Sequence, residues 1–332
     1  MFGPDAAART AQELAAAFPD LNARLLGPLL RRTLRPGGVA AIWQDGKQVI
    51  SGLRQNAEAS FEIASVTKPF TAALAFALAQ QGRLELDRPL ARQFAGFRGY
   101  PPHITARALL THTAGLPLHP LRGNLGTLLD FHDPYGRLSA AQVLASGRRW
   151  AWAGSGRAGR LSYSNFGYSL LALALAEAVG EPYPAALERW ILNPLALSRT
   201  GFLPTAPLAR PHGLLGSQRI SGFGGLIGAG GLFGTAHDLL RFGEAHLSGQ
   251  VRGWANVSQL RGMPPPLLGV AGGWLVTRWR KEAVWWHDGV ARGTRTALGF
   301  SPDTGRVAAV LIASGVPLVG RGGPGAVLAQ LF

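Results

Sequence analysis

Ser65 and Lys68 are the residues whose types and spacing point most directly to chemistry. They lie three residues apart at the predicted start of a helix, so their side chains share one side of it. A serine hydroxyl is a poor nucleophile until a neighbour takes its proton, and a lysine can do so when burial lowers its pKa. The helix N-terminus also supplies N–H groups for a developing oxyanion. The pair therefore predicts a nucleophile and its base.

The composition around this pair favours catalysis over a structural role. The alternative is a serine that caps the helix and a lysine on the surface. Lysine is rare in this chain: among its 33 lysines and arginines, the only lysines are Lys47, Lys68 and Lys281. A position that needs a titratable amine cannot use arginine. The pair also follows a short strand and opens a strong helix, which is the context that such a motif requires.

A second candidate group, Tyr163 and Asn165, lies at a predicted turn before a helix that starts near Gly167. A tyrosine oxygen beside an ammonium can have a lowered pKa and shuttle protons. Asn165 could orient Lys68 or bind a substrate carbonyl. The alternative is a loop tyrosine packed on the core, with Asn165 as the helix N-cap.

A third candidate group is His287, Gly289 and Val290, at the end of the aromatic strand Val284–Trp286. Glycine at this point would let substrate approach an edge strand closely. The N–H of Val290 would then be the second donor to an oxyanion. The alternative is an ordinary turn in which Asp288 and Gly289 supply hairpin chemistry.

The elements that must position these residues begin with helices and a hairpin. Residues 5–33 are predicted to be helical, with breaks at Pro19 and Pro28. Residues 38–52 are predicted to form a β-hairpin. A helix from Thr67 to Gln81 follows the nucleophile and ends before a glycine.

The rest of the chain predicts an α+β fold. Residues 84–225 are mostly helical pieces joined by Gly/Pro loops, and the last third contains consecutive strands and a short closing helix. The economical architecture is an antiparallel sheet formed from both chain ends, flanked by helices, with an inserted, mostly helical domain. The predicted sheet domain comprises residues 1–83 and 226–332, the insert comprises residues 84–225, and the active site lies between them.

The composition excludes several classes of function. Cysteine is absent, so no disulfide and no thiolate nucleophile or zinc ligand exists. The histidines form no HExxH motif, and neither a metal nor a cofactor is expected. The net charge of +15 would suit nucleic-acid binding. The arginines are scattered, however, and no basic run forms an arm, so no nucleic acid is expected as a partner.

No membrane-spanning segment or signal peptide is recognisable in the sequence. We therefore expect a cytoplasmic protein, or a periplasmic or exported one if a signal segment has been removed. The sequence leaves the oligomeric state open.

In order and spacing, the three groups resemble the motifs of the serine β-lactamase, D-alanyl peptidase and esterase superfamily, close to its class C branch. The resemblance covers the chain from about residue 38 to residue 315, and it implies a β-lactamase/transpeptidase-like fold. The flanking segments that match are residues 110–116, 161–168, 193–195 and 230–239.

The resemblance implies a role for each candidate residue. Ser65 would be the acylated nucleophile, and Lys68 and Tyr163 would share the general-base and general-acid work. Asn165 would contact the substrate, and His287 and Gly289 would line the edge strand beside it. The amides of Ser65 and Val290 would form the oxyanion hole.

One departure from the family pattern affects the expected substrate. The third motif usually begins with a lysine that anchors the substrate carboxylate, and His287 is a weaker anchor. The resemblance implies that such variants are common among esterases and peptidases. We expect hydrolysis of a carboxylic ester or small amide through an acyl-enzyme on Ser65. The alternatives are a D-alanyl carboxypeptidase or β-lactamase acting on cell-wall peptides or β-lactams, and a non-catalytic basic binding protein on this scaffold.

Other residues give weaker signals. His112 and His119 flank a Gly-Leu-Pro loop and are interpreted as structural or surface residues. Tryptophans could wall an apolar acyl pocket or simply pack in the core. They are Trp150, Trp152, Trp254, Trp285 and Trp286.

Overall fold

A seven-stranded antiparallel sheet combines strands from the two ends of the chain. The computed structural model describes residues 6–120, 138–213, 216–217, 220–260, 263, 265–315 and 323–332. From one edge of the sheet to the other, the strands are Lys47–Leu53, Gly38–Gln44, Arg306–Ile312, Arg295–Ser301, Glu282–Val290, Trp274–Trp279 and Leu267–Ala271. The predicted α+β architecture, with a sheet built from both chain ends, is therefore confirmed.

Helices account for most of the remaining regular structure. Among the described residues, the α-helices are Ala6–Ala17, Ala23–Thr33, Thr67–Gln80, Ala106–Leu110, Ala140–Ala153, Asn165–Val179, Tyr183–Leu187, Ile227–Gly230, Ala236–Leu247 and Pro324–Leu331. In that part of the chain no single helix is long and apolar enough to cross a membrane. One pair, Asn165–Val179 with Tyr183–Leu192, passes by length and composition only when taken together across a 77° bend.

The N-terminal helical region is interrupted once, between Ala17 and Ala23, close to Pro19. Asn22 caps the second helix there by accepting from two backbone N–H groups. The predicted break at Pro28 is wrong, because the helix runs through this residue. A proline removes one backbone donor, and the buried Leu26 and Leu30 on either side keep the helix packed on the core.

Both faces of the central strands are covered, which explains their continuous apolar sequences. In the strand Arg306–Ile312, alternate residues enter two different cores. Val307 and every second residue after it face the helix Ala236–Leu247. The residues between them, including Val310, face the terminal helices. The sheet is thus a central layer between helices.

The helix Thr67–Gln80, here called the central helix, connects the sheet layer to the helical middle of the chain. Ten of its 14 residues are buried, and it packs against the helices Asn165–Val179 and Ile227–Gly230. Phe70 stacks on Phe242 of the helix that covers the sheet, with ring centroids 3.7 Å apart. One apolar core includes residues from both regions. The division at residues 83/84 and 225/226 stays a prediction.

Truncating the Phe70 side chain should destabilise the fold strongly. The ring is fully buried, and Phe→Ala changes in protein cores typically cost ~3–5 kcal/mol. Urea denaturation should therefore show a loss of about that size in the free energy of unfolding of Phe70→Ala. Leu25→Ala, at a helical position that is 60% exposed, is the control and should change stability by less than ~0.5 kcal/mol. Similar losses in both variants would contradict this account of the core.

Candidate active site

The backbone in front of Ser65 is held in a strained conformation. Ala64 has a φ of 48°, which costs a non-glycine residue on the order of 1–3 kcal/mol. The carbonyl of Ile63 accepts from Thr296 Oγ1 at 2.8 Å, which ties this segment to the sheet. Ser65 consequently lies in a short 3-10 turn directly before the central helix.

Lys68 is fully buried, with 0% exposure, and it contacts the nucleophile. Its Nζ lies 3.0 Å from Ser65 Oγ and donates to the carbonyl of Ala229 at 2.8 Å. Burial holds the pKa of the Lys68 amine well below its usual range, and the nearby Asp288 carboxylate opposes this shift only in part. A neutral amine beside the serine hydroxyl can accept its proton.

Tyr163 lies against the same amine, with Lys68 Nζ 5.0 Å from its ring centroid. Burial raises the pKa of Tyr163 above its usual range, and a hydrogen bond with the Ser65 side chain offsets this only in part. The predicted lowering of this pKa is therefore wrong. Its premise was a neighbouring ammonium, whereas burial favours the neutral form of Lys68. Tyr163 stays a phenol, able to donate its proton.

His287 is buried and neutral. Its Nδ1 lies 2.6 Å from the carbonyl oxygen of Asp288, which can only accept, so Nδ1 carries the proton. Its Nε2 is buried with no hydrogen-bond partner among the described residues. Burial lowers the pKa of His287 to about 3, and a proton on Lys68 would act in the same direction. This side chain supplies no cation for a substrate carboxylate at neutral pH.

The Gly289 backbone is pressed against the segment that carries the nucleophile. A Cβ at this position would lie 2.2 Å from the carbonyl oxygen of Ile63 and 3.1 Å from the amide nitrogen of Ser65. The close approach that requires glycine is thus made by the protein's own backbone. The strand Glu282–Val290 lies inside the sheet, and only its last residues are at an edge, because pairing with the next strand ends at Trp286.

The amide of Val290 is available for an oxyanion. Ala291 N donates to Thr294 O across the hairpin, and antiparallel pairs alternate between bonded and non-bonded positions. The neighbouring pair, Val290 and Arg295, is therefore non-bonded, and the Val290 N–H points away from that strand. Because Gly289 lies against the Ser65 amide, the two predicted oxyanion donors belong to adjoining backbone segments.

Asn165 is the first residue of its helix, and its side chain is not the cap. Ser164 is the N-cap, and its Oγ accepts from Gly167 N at 2.8 Å. The Oδ1 atom of Asn165 is buried with no hydrogen-bond partner among the described residues, although the side chain lines the cavity at Ser65. A buried acceptor without a partner is a group that a substrate donor can satisfy.

A cavity of about 280 Å³ opens at Ser65. It brings together Ser65, Asn165 and Val290, whereas Lys68, Tyr163, His287 and Gly289 are not among its lining residues. The full lining is Ala64, Ser65, His119, Asn165, Ser221, Gly222, Phe223, Leu226, Ala229, Val290, Ala291 and Arg292. No tryptophan is in this lining, because Trp254 and Trp285 pack on Phe300 in the core.

Two histidines lie at the site, although the sequence analysis gave them no role there. His112 is buried, stacks on Tyr163 with centroids 4.4 Å apart, and accepts from Ser164 N at 3.0 Å. His119 lines the cavity. His112 is therefore not a surface residue, and the signal that could have found it is the matching segment 110–116, which ends before His119. Within the described ranges, no group of three or more His, Asp or Glu is placed to hold a metal ion.

Glu62 is a second site residue that the sequence did not reveal. It lies three residues before Ser65 and is 2% exposed. Its Oε1 accepts from Ser221 N at 2.6 Å, and Arg292 N donates to Ser221 Oγ at 3.3 Å. Burial raises the pKa of Glu62, opposed by the bonds from Ser221 and by the charge of Arg292. This carboxyl group joins the nucleophile segment to one wall of the cavity.

A serine on a strained turn, paired with a buried lysine at the head of a central helix beside an antiparallel sheet, defines the SxxK class of serine hydrolases. The chain belongs to the beta-lactamase family, whose sequence model matches residues 22–330. This family is part of a serine hydrolase superfamily that includes carboxypeptidases and esterases.

Individual relatives are distant and differ in activity. The chain is 28% identical over 233 residues to the D-alanyl-D-alanine-carboxypeptidase/endopeptidase AmpH of Escherichia coli K12, covering 64% of this chain and 57% of that protein. It is 30% identical over 166 residues to the esterase EstB of Burkholderia gladioli, covering 44% and 39%. The chain thus spans about half the length of these curated relatives.

The fold is shared with solved structures along nearly the whole chain. A D-stereospecific amidohydrolase from Streptomyces is 22% identical, with a TM-score of 0.76 and 99% of both chains covered. A class C beta lactamase from Rhodobacter sphaeroides is 20% identical, with a TM-score of 0.73, covering 98% of this chain and 97% of that one. These likenesses establish the fold.

Replacing Lys68 with arginine should be nearly as damaging as replacing it with alanine. Arginine keeps the positive charge but cannot act as a base, and a positioned base typically contributes 10²–10⁴-fold. We expect both variants to lose kcat on the order of 10²-fold or more in ester hydrolysis. Lys47→Arg, at an exposed lysine, is the control and should keep its rate. Near-normal activity of Lys68→Arg would show that Lys68 supplies only charge.

The pH dependence of activity should report the protonation of Lys68. Its lowered pKa means that the amine is neutral above that pKa and charged below it. The profile of kcat/KM should therefore fall as the pH decreases through the pKa of Lys68. His287, with a pKa of about 3, is already neutral across the neutral range. Loss of the acidic limb in a His287→Asn variant would instead assign this limb to the histidine.

Proposed function

We propose that this protein hydrolyses a carboxylic ester or small amide through an acyl-enzyme on Ser65. The observation that carries the proposal is the 3.0 Å contact between Lys68 Nζ and Ser65 Oγ. That lysine is fully buried, so the neutral amine is favoured, and the serine opens onto a cavity large enough for a small substrate.

Acylation begins with proton transfer from Ser65 Oγ to Lys68 Nζ as the oxygen attacks the substrate carbonyl carbon. The developing oxyanion accepts from the amides of Ser65 and Val290. Loss of one such donor typically costs on the order of 10²–10³ in rate. When the tetrahedral intermediate collapses, the bond to the leaving group breaks. The departing oxygen or nitrogen then takes the proton that Lys68 received from Ser65, either directly from Lys68 or through the Tyr163 phenol.

Deacylation repeats these steps with water as the nucleophile. Lys68, neutral again after the leaving group has departed, takes a proton from water as it attacks the acyl carbon. The serine oxygen then leaves and recovers that proton. The Asn165 amide, whose Oδ1 lacks a partner among the described residues, contacts the substrate beside the reacting carbonyl.

Esters are favoured over carboxylate-bearing peptides because His287 is neutral. A lysine at this position would offer a permanent cation, whereas this imidazole does not. The matching segment of the esterase EstB supports this reading. A second candidate, a D-alanyl carboxypeptidase or β-lactamase, is supported by Arg292, which places another cation at the cavity, and by the similarity to AmpH.

Hydrolysis of p-nitrophenyl butyrate should depend on Ser65. The wild type should release p-nitrophenol with saturation kinetics, whereas Ser65→Ala should lose essentially all of this activity because it lacks the hydroxyl that lies 3.0 Å from Lys68 Nζ. Intact-mass measurement after a rapid quench should show the butyryl group on the wild type alone. Equal rates in the two proteins would refute the role of Ser65.

The same preparations separate the alternatives. Saturable nitrocefin turnover with weak ester hydrolysis would favour the peptidase or β-lactamase. Tight, salt-sensitive DNA binding without labelling by a fluorophosphonate would favour a non-catalytic basic protein, since phosphate contacts release counterions. Ester turnover without nitrocefin turnover supports the esterase proposal.

A further inference from the structure

One side of the cavity at Ser65 is apolar. Leu226 is buried beside the half-buried Phe223, and both line the cavity. At the mouth, the Val290 side chain is 55% exposed. Two other exposed aliphatic residues, Leu118 and Ile220, directly precede lining residues in the chain. Exposed apolar groups beside a partly apolar cavity are typical of a binding site.

The apolar wall is a built feature of the fold. A Cβ on Gly230 would lie 2.5 Å from Cε1 of Phe223, so this glycine provides the space that the ring occupies. The preceding residue of the wall, Ser221, is fixed by the 2.6 Å bond from its amide to Glu62. The apolar wall is therefore fixed relative to Ser65, because Glu62 lies on the strand that leads to Ser65.

The positions of the proton donors indicate which part of the substrate occupies this cavity. The leaving group needs a proton, so it must lie towards Lys68 and Tyr163. Tyr163 packs between His112 and His287, and none of these three rings lines the cavity. The part of the substrate that stays on Ser65, the acyl group, is left to occupy the cavity.

We propose that the Phe223–Leu226 side of this cavity binds an uncharged, apolar acyl chain, which makes the preferred substrates esters of short to medium aliphatic acids. This inference rests on the proposed function of Ser65. Arg292 also lines the cavity, but its charge acts on the buried Glu62 carboxyl group. A carboxylate on the acyl chain would have to compete with that group for the guanidinium.

A series of p-nitrophenyl esters tests the proposal. From acetate to butyrate to hexanoate, kcat/KM should rise roughly threefold to fourfold for each methylene that leaves water. The gain should level off once the chain extends beyond the cavity of about 280 Å³ at Ser65. The p-nitrophenyl hemisuccinate should be a poorer substrate than the butyrate.

Variants of Phe223 test whether the preference for acyl chain length comes from the apolar wall. Phe223→Ala and the milder Phe223→Leu should both move the optimum to longer chains, and the second serves if the first does not fold. Leu203→Ala, at a residue that is 74% exposed and lines a different cavity, should leave the series unchanged. The ratio of rates for two esters is compared within each variant, so the fraction of active protein cancels.

The outcomes for this site and for the nucleophile are separable. Activity that persists in Ser65→Ala refutes the proposed function itself. Ser65-dependent activity that is flat or declines with chain length overturns the acyl site alone. Faster turnover of the hemisuccinate than of the butyrate also overturns it and assigns the cavity to an anion held by Arg292. A rising series that shifts in both Phe223 variants supports the proposal.

Discussion

The burial of the Lys68 amine is the constraint on which the rest of the site depends. An ammonium ion removed from water loses its hydration, so the neutral form is favoured unless a counter-charge replaces the solvent. The surroundings supply little that could do so: one carbonyl, the rings of Tyr163 and Tyr168, and the more distant Asp288. His287 is neutral for the same reason, and the charge on Lys68 would lower its pKa further. The neutral Lys68 amine therefore lies beside Ser65 together with a neutral imidazole.

The backbone around Ser65 is closely packed against the neighbouring strand. Ser65 meets the amine directly after the short strand Phe61–Glu62, and Ala64 between them adopts the left-handed region. Thr296 anchors the carbonyl of Ile63 at that bend, and Gly289 allows the neighbouring strand to lie against it. The strain is offset by contacts from the sheet, so the position of Ser65 is a property of the whole fold. The long-range pairing of the two chain ends is what supplies those contacts.

The sequence predicted most of this framework, and its failures have physical causes. The Ser65–Lys68 pair, the sheet from both ends and the central helix follow from spacing and periodicity, which are local signals. Glu62 was missed because its partner Ser221 is 159 residues away, and His112 because only the fold places its ring on Tyr163. The error over the pKa of Tyr163 arose from assuming a charged lysine, which burial disfavours. Pro28 showed that side-chain packing can outweigh one lost backbone bond.

The single base also limits which substrates the site can process. In the proposed mechanism, each half-reaction places one proton on Lys68, and a second turn of the cycle requires that this proton be removed. An alkoxide leaving group is strongly basic and would take it readily, and the Tyr163 phenol would provide a relay without a separate acid. A substrate that brings a carboxylate into the site would stabilise the lysine ammonium by its charge and hold the base in its inactive form. Because His287 is also neutral, the electrostatics at Lys68 favour an uncharged substrate as well as a neutral amine.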